Sequence, residues 1–155
     1  MKKIIVFLIL ITIIAAGCNQ EITEPVGAYT TVIDKLYNED MALNHDIKYI
    51  AVDTSLINNL SEEQKSELLK EIEKYGYIVL DMTFDKLEEQ GYIEELYFKE
   101  GILFNIEDKP MSGNAILMNV SKWRSGLGAI GYNDLKVEYK NGNWKITKTG
   151  SAWIS

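Results

Sequence analysis

From about residue 96 onward apolar side chains recur at every second position, whereas before it they recur at helical spacing. This change of period constrains the fold more than any other feature. A period of two fits a pleated strand and a period of 3.6 fits a helix, and neither pattern settles into the other element. Tyr97 to Ile106 reads as one strand with Gly101 inside it. Ala115 to Trp123 reads as a second, with Ile116, Met118 and Val120 on one face. Leu127 to Tyr139 reads as a third, in which Leu135, Val137 and Tyr139 alternate with Lys136, Glu138 and Lys140. The segment EDKPMSGN between the first two is a turn. Asn141-Gly142 is a type I′ hairpin signal, and Trp144, Ile146, Trp153 and Ile154 belong to a last strand. Such alternation predicts one buried sheet face and one wetter face.

The first half reads differently. Tyr29, Val32, Ile33, Leu36 and Tyr37 mark one apolar stripe on a helix over 26–42. Lys48 to Val52 is a short strand, broken by Asp53, Thr54 and Ser55. Ser61 and Gln64 form a capping box for a helix that buries Leu68, Leu69, Ile72 and Tyr75 and stops at Gly76. Tyr77 to Met82 is an apolar strand. Thr83 caps a third helix, with Phe84 and Leu87 inward, that ends at Gly91. Helices followed by an antiparallel meander make an α+β fold. The expected architecture is N-terminal helices packed on a curved antiparallel sheet, a cone-like α+β roll, in a single domain over 26–155.

The chain opens on Lys2 and Lys3, and residues 4–16 are apolar apart from Thr12. Spanning a bilayer takes about 20 residues. A shorter run behind a charged start, ending in the small residues Ala15, Ala16 and Gly17, is a secretory signal. Cys18 follows at once. This arrangement resembles the lipobox of bacterial lipoproteins, with Ala15 where that family prefers leucine. The resemblance implies a diacylglycerol on the Cys18 thiol, a further fatty chain such as palmitate, and cleavage that makes Cys18 the first residue. Two or three chains anchor stably. The expected organisation is a signal peptide over 1–17, the lipidated cysteine and a short tether over 18–25, then the domain. The expected location is the extracytoplasmic face of the cell membrane. Fully extended, Asn19 to Pro25 reaches about 24 Å, so the domain stays near its membrane neighbours.

Charge and composition narrow the partners. Loss of Lys2 and Lys3 takes the formal charge from −7 to −9. An acidic domain excludes nucleic acid, which needs a basic face, and adsorption on anionic lipid. One cysteine and one histidine exclude a disulfide framework, a cysteine-rich zinc module and a multi-histidine metal centre. No cofactor is expected.

Four groups of residues are candidates for chemistry. Gly126, Gly128 and Gly131 match G-x-G-x-x-G, but a dinucleotide site needs a helix after the glycines, and YNDLKVEYKNG reads as strand and hairpin. The glycines instead permit a bulge or bend. Lys122, Trp123, Arg124 and Ser125 precede them. A cation beside an aromatic and a bare backbone suits an anionic or peptide-like ligand, so Trp123, Arg124, Gly126, Gly128, Gly131 and Tyr132 form the candidate binding set. The alternative reading packs Trp123 in the core and pairs Arg124 with a carboxylate. His45, oriented by Asp46 or Asp53 with Ser55 attacking, or joined by Asp81, is the candidate catalytic set, without a nucleophile elbow. Glu62-Glu63, Glu88-Glu89, Glu94-Glu95 and Glu107-Asp108 lack calcium-loop spacing and read as solvated faces. Tyr92, Tyr97 and Tyr132 are candidates for the mouth of a pocket.

The run SKWRSGLGAIG, the later NGNW and closing AWIS, the middle IAVDTS and LSEEQK, and the lipobox together resemble a group of small, uncharacterised lipoproteins of Gram-positive bacteria. The resemblance covers nearly the whole chain and is most specific at W-R-S-G-L-G-A-I-G. It implies a roll similar to nuclear transport factor 2-like or cystatin-like folds, with a cone-shaped pocket, and no catalytic residues transfer from it. The function expected is a membrane-anchored ligand-binding or protein-interaction domain. A small hydrolase or isomerase with its site in the cone, or an accessory of a membrane transporter, are the alternatives.

Overall fold

The computed structural model describes residues 24–155. The segments expected to be a signal peptide and a tether, with Cys18 between them, lie outside the described residues as far as Thr23. Three α-helices and seven strands make an α+β fold on one mixed sheet. Helix α1 is Val26–Asn38, followed by a 3-10 turn over Met41–Asn44 and strand β1, Tyr49–Asp53. Helix α2 is Glu62–Ile72, β2 is Ile78–Asp81 and α3 is Phe84–Glu89. Strands β3 (Gly101–Asp108), β4 (Ala115–Ser125), β5 (Gly128–Lys140), β6 (Asn143–Lys148) and β7 (Ser151–Ile154) complete the chain. The local signals act as read. Ser61 and Gln64 exchange both capping-box bonds, the Thr83 side chain accepts from the Lys86 amide, and Asn141 and Gly142 both take positive φ in the β5–β6 turn.

The strand order is β2-β1-β3-β4-β5-β6, with β7 also paired to β5. The all-antiparallel expectation is corrected here: β1 runs parallel to both β2 and β3. The reason is the helix between β1 and β2. A strand, a crossover helix and a returning strand must pair in parallel, since only a hairpin reverses direction. The last strand is two, because Gly150 turns the chain so that β6 and β7 pair with successive stretches of β5. Strand β3 begins at Gly101 and not at Tyr97. The Phe98 ring folds over Gly101, where a methyl group would fall within 2.2 Å of it, and the Phe98 amide donates to the Arg124 carbonyl.

Helices α1 and α2 cover one sheet face. Tyr29, Val32, Ile33 and Leu36 of α1 and Leu68 and Ile72 of α2 pack on Ile50, Phe104, Met118 and Val137. On the opposite face α3 and the chain over 92–98 cover only the β1–β3 side, where Leu87, Ile93 and Phe98 meet Ala51 and Leu103. The rest of that outer face, along β4 and β5, stays open. Burial of this kind contributes about 25 cal/mol per Å² of apolar surface removed from water.

Helix α1 also fixes the direction of the domain. Its first turn packs on the β5–β6 hairpin: the Trp144 Nε1 donates to the Glu24 carbonyl at 3.1 Å, and Gly27 is close against the Trp144 ring. Glu39, which caps its C-terminus, reaches Tyr132 on β5 and Lys122 on β4. Ala115 and Ser125, at the two ends of β4, are about 33 Å apart at strand rise. The chain therefore enters at the Ala115 end, and the β4–β5 turn lies at the far end.

Candidate functional site

The alternation of β4 decides where the candidate residues go. Ile116, Met118, Val120 and Lys122 face the helices, and Trp123 faces the other way. Trp123 meets Phe84 of α3 edge to face, with ring centroids 5.0 Å apart, and packs on the second core with Leu87 and Phe98. Arg124 turns back to the helix side. Its Nη1 donates to the Leu43 carbonyl at 2.8 Å and the His45 carbonyl at 2.6 Å, and its Nη2 to the Lys99 carbonyl at 2.9 Å. The guanidinium also lies 5.7 Å from the Tyr97 ring centre. Trp123 and Arg124 thus occupy opposite faces and do not converge on one ligand.

Arg124 belongs to a clamp on the segment that follows α1. Lys122 is fully buried, and its ammonium donates to the Glu39 carbonyl, to the Asp40 carbonyl at 3.1 Å and to Asn44 Oδ1 at 3.2 Å. Carbonyls at a helix C-terminus attract cations. Burial nonetheless dominates and pushes the Lys122 ammonium down to about 8, against the opposing pull of Asp40 and Glu39. Tyr132 joins the same clamp: its hydroxyl donates to Glu39 Oε2 at 2.6 Å, and the Lys35 ammonium sits 4.5 Å from its ring centre. Burial, then this bond to Glu39, raises the phenol above its ordinary range.

Of the three glycines, Gly126 serves a turn and Gly128 and Gly131 serve packing. Gly126 and Leu127 form the two-residue turn between β4 and β5. No helix follows them, so there is no helix N-terminus for a pyrophosphate. Gly128 fits against Ser125 and Leu43, and Gly131 lies under the Trp153 indole, where a methyl group would come within 2.4 Å.

The candidate catalytic set does not assemble. His45 is exposed and paired with Asp46 at 2.8 Å, and it lines a cleft of about 590 Å³ with Tyr97, Lys99 and Arg124. Asp53 lines a different groove and accepts from Ser55 Oγ at 2.5 Å. Asp81 accepts from Thr54 at 2.8 Å. His45 precedes β1 and Asp53 ends it, and that strand alone separates them by about 13 Å. Among the described residues no group of three or more His, Cys, Asp or Glu side chains is placed to hold a metal.

The expectation that Glu107-Asp108 forms a solvated face is corrected for Asp108, which is a buried carboxylate. Asp108, at the end of β3, accepts from the Tyr29 hydroxyl at 2.5 Å, from the Asn58 and Asn59 amides at 2.8 and 3.1 Å, and from both Asn side chains. Burial raises its proton affinity, but these donors outweigh burial and hold the carboxyl below its usual range. Its partners stand 49 to 79 positions away, so no local pattern points to it. It ties α1, the 54–60 loop and β3 together.

The far end of the domain presents apolar side chains outward. The chain turns at Glu94–Tyr97 with Glu95 and Leu96 both at positive φ, and the Gly126 amide donates to the Leu96 carbonyl, joining this turn to the β4–β5 turn. Leu127 is 91% exposed and Leu96 57%. Tyr97 stands beside them on the rims of two clefts, of about 590 Å³ and about 920 Å³, and Tyr92 lines the second. Tyr132, also expected at a pocket mouth, is instead turned inward to Glu39. Comparison of the chain with protein-family models, curated proteins and solved structures finds no match.

Proposed function

We propose that this chain is a lipid-anchored, extracytoplasmic binding domain that meets a protein partner, the outward part of a membrane neighbour, through its far end. One observation carries the reading. Two adjoining tight turns hold Leu96 and Leu127 out to solvent beside Tyr97, at the end opposite the entry of the chain at Glu24. Exposed apolar side chains gathered at one place mark interaction surfaces, and aromatic anchors beside clefts are where binding energy concentrates. The anchor at Cys18 would hold the entry end at the headgroups and present the other end outward. Among the described residues no helix is long and apolar enough to cross a membrane. The curved roll remains part of the reading, with Tyr29, Phe104 and Met118 packed between helix and sheet.

The test compares two variants in cells. Cys18→Ala should move the protein from the membrane fraction to the soluble fraction with its fold intact. Leu96→Asp combined with Leu127→Asp should leave it membrane-bound and folded while any high-mass complex on native gels disappears. A complex unchanged by the double variant contradicts the assignment of the contact end.

A further inference from the structure

We infer that the open half of the outer sheet face is a saccharide site, independent of the partner end. A groove of about 190 Å³ runs there, with Leu56 and Trp153 at its sides and Asn105, Ser121 and Asn133 in its floor. That volume equals about six waters of liquid, the scale of one sugar ring and too small for an extended chain.

The chemistry of the walls selects the ligand. Trp153 pairs with Gly131 across β7 and β5, and its indole rests on that glycine so closely that a methyl group there would clash at 2.4 Å. The ring is held against the sheet yet 39% exposed. A positioned aromatic suits the apolar C–H face of a pyranose. The floor supplies the complement for its hydroxyls. Asn105 Nδ2 donates to Ser121 Oγ at 3.3 Å, which leaves the Asn105 carbonyl as an acceptor and the Ser121 hydroxyl proton as a donor. Asp53 carries a further carboxylate oxygen at one side, since its Oδ1 takes both bonds from Ser55. Amides, a hydroxyl and a carboxylate suit a neutral polyhydroxylated ring. Asp53 and Glu107 along the lining, which includes no lysine or arginine, disfavour an anion.

The test uses the full-length protein in a sugar-free detergent, followed by indole fluorescence and by isothermal titration. The probes are N-acetylglucosamine and glucose, each to 100 mM, with sodium glutamate and trialanine as comparisons. A saturable response to a neutral sugar is expected. It should weaken at least tenfold in Trp153→Ala and in Asn105→Ala, with melting temperatures within a few degrees of the parent. Gly131→Ala should also weaken it, by displacing the indole. No saturable response to either sugar overturns the inference, as does equal binding by Trp153→Ala, or a response to the glutamate or the peptide alone.

Discussion

Replacing Arg124 with Ala separates a ligand-binding arginine from a structural one. The guanidinium holds three main-chain carbonyls, of Leu43, His45 and Lys99, at 2.6 to 2.9 Å. Hydrogen bonds to a charged group are worth about 1.5–3 kcal/mol each. These carbonyls sit in loops and regain water when the side chain is removed, so about 1 kcal/mol net per bond is the fitting figure. The total is about 3 kcal/mol. A domain of this size shifts by about 3–4 °C per kcal/mol, so the melting temperature should fall by about 10 °C. Calorimetry on the full chain measures it. Hydrogen exchange should rise at the amides of 42–46 and 98–101, which the arginine ties together. Arg124→Lys should recover about a third of the loss, since an ammonium cannot span three carbonyls as the planar fork does. A melting temperature within about 2 °C of the parent, or full rescue by lysine, would refute the structural role.

Other perturbations test the buried polar groups and the strained turn. Asp108→Asn should destabilise by about 1.5–3 kcal/mol in urea titrations, since an amide cannot accept all five donors, and Tyr29→Phe by a similar amount. Because Asp108 is held below its ordinary value of 3.8, its contribution is present above that pH and drains away as pH falls through the folded value; Asp108→Asn should flatten the acid limb. Lys122, lowered from 10.5 to about 8, acts at the other end. The folded state releases that proton first, so stability should rise by about 1–3 kcal/mol as pH climbs from 8 towards 10, and Lys122→Met should abolish the rise. Above pH 10 the raised phenols of Tyr29 and Tyr75 reverse it, because the unfolded chain loses those protons first. Glu95→Asn with Leu96→Gly should raise stability by about 1–2 kcal/mol, by relieving two left-handed side-chain-bearing residues.

What the sequence made legible were features set by neighbours in the chain. The Ser61–Gln64 box, the Thr83 cap and the Asn141-Gly142 turn each depend on three or four consecutive residues, and each forms as read. The parallel pairing of β1 was in reach, because strand, helix and strand over 49–81 is the signature of a crossover, but the antiparallel second half suggested one rule for the whole sheet. The clamp was half legible. Lys122 and Arg124 continue the inward phase of Ile116, Met118 and Val120, so two cations were due to face the helices. That most of their partners are carbonyls of the 39–45 segment depends on where α1 ends, which periodicity fixes only loosely. Asp108 reads locally as half of an exposed acidic pair and is buried instead, and the groove under Trp153 left no local trace, since both are made by strands and loops brought together from distant positions.

The most direct test of the account places a photoreactive residue at Leu127 in the anchored protein in living cells, with a second copy of the experiment at Asn143 on the entry end. The account predicts a discrete heavier band from Leu127, lost when Leu96 becomes Asp, and none from Asn143. Equal bands from both positions, or no band from Leu127 while the protein is folded and membrane-bound, would contradict it.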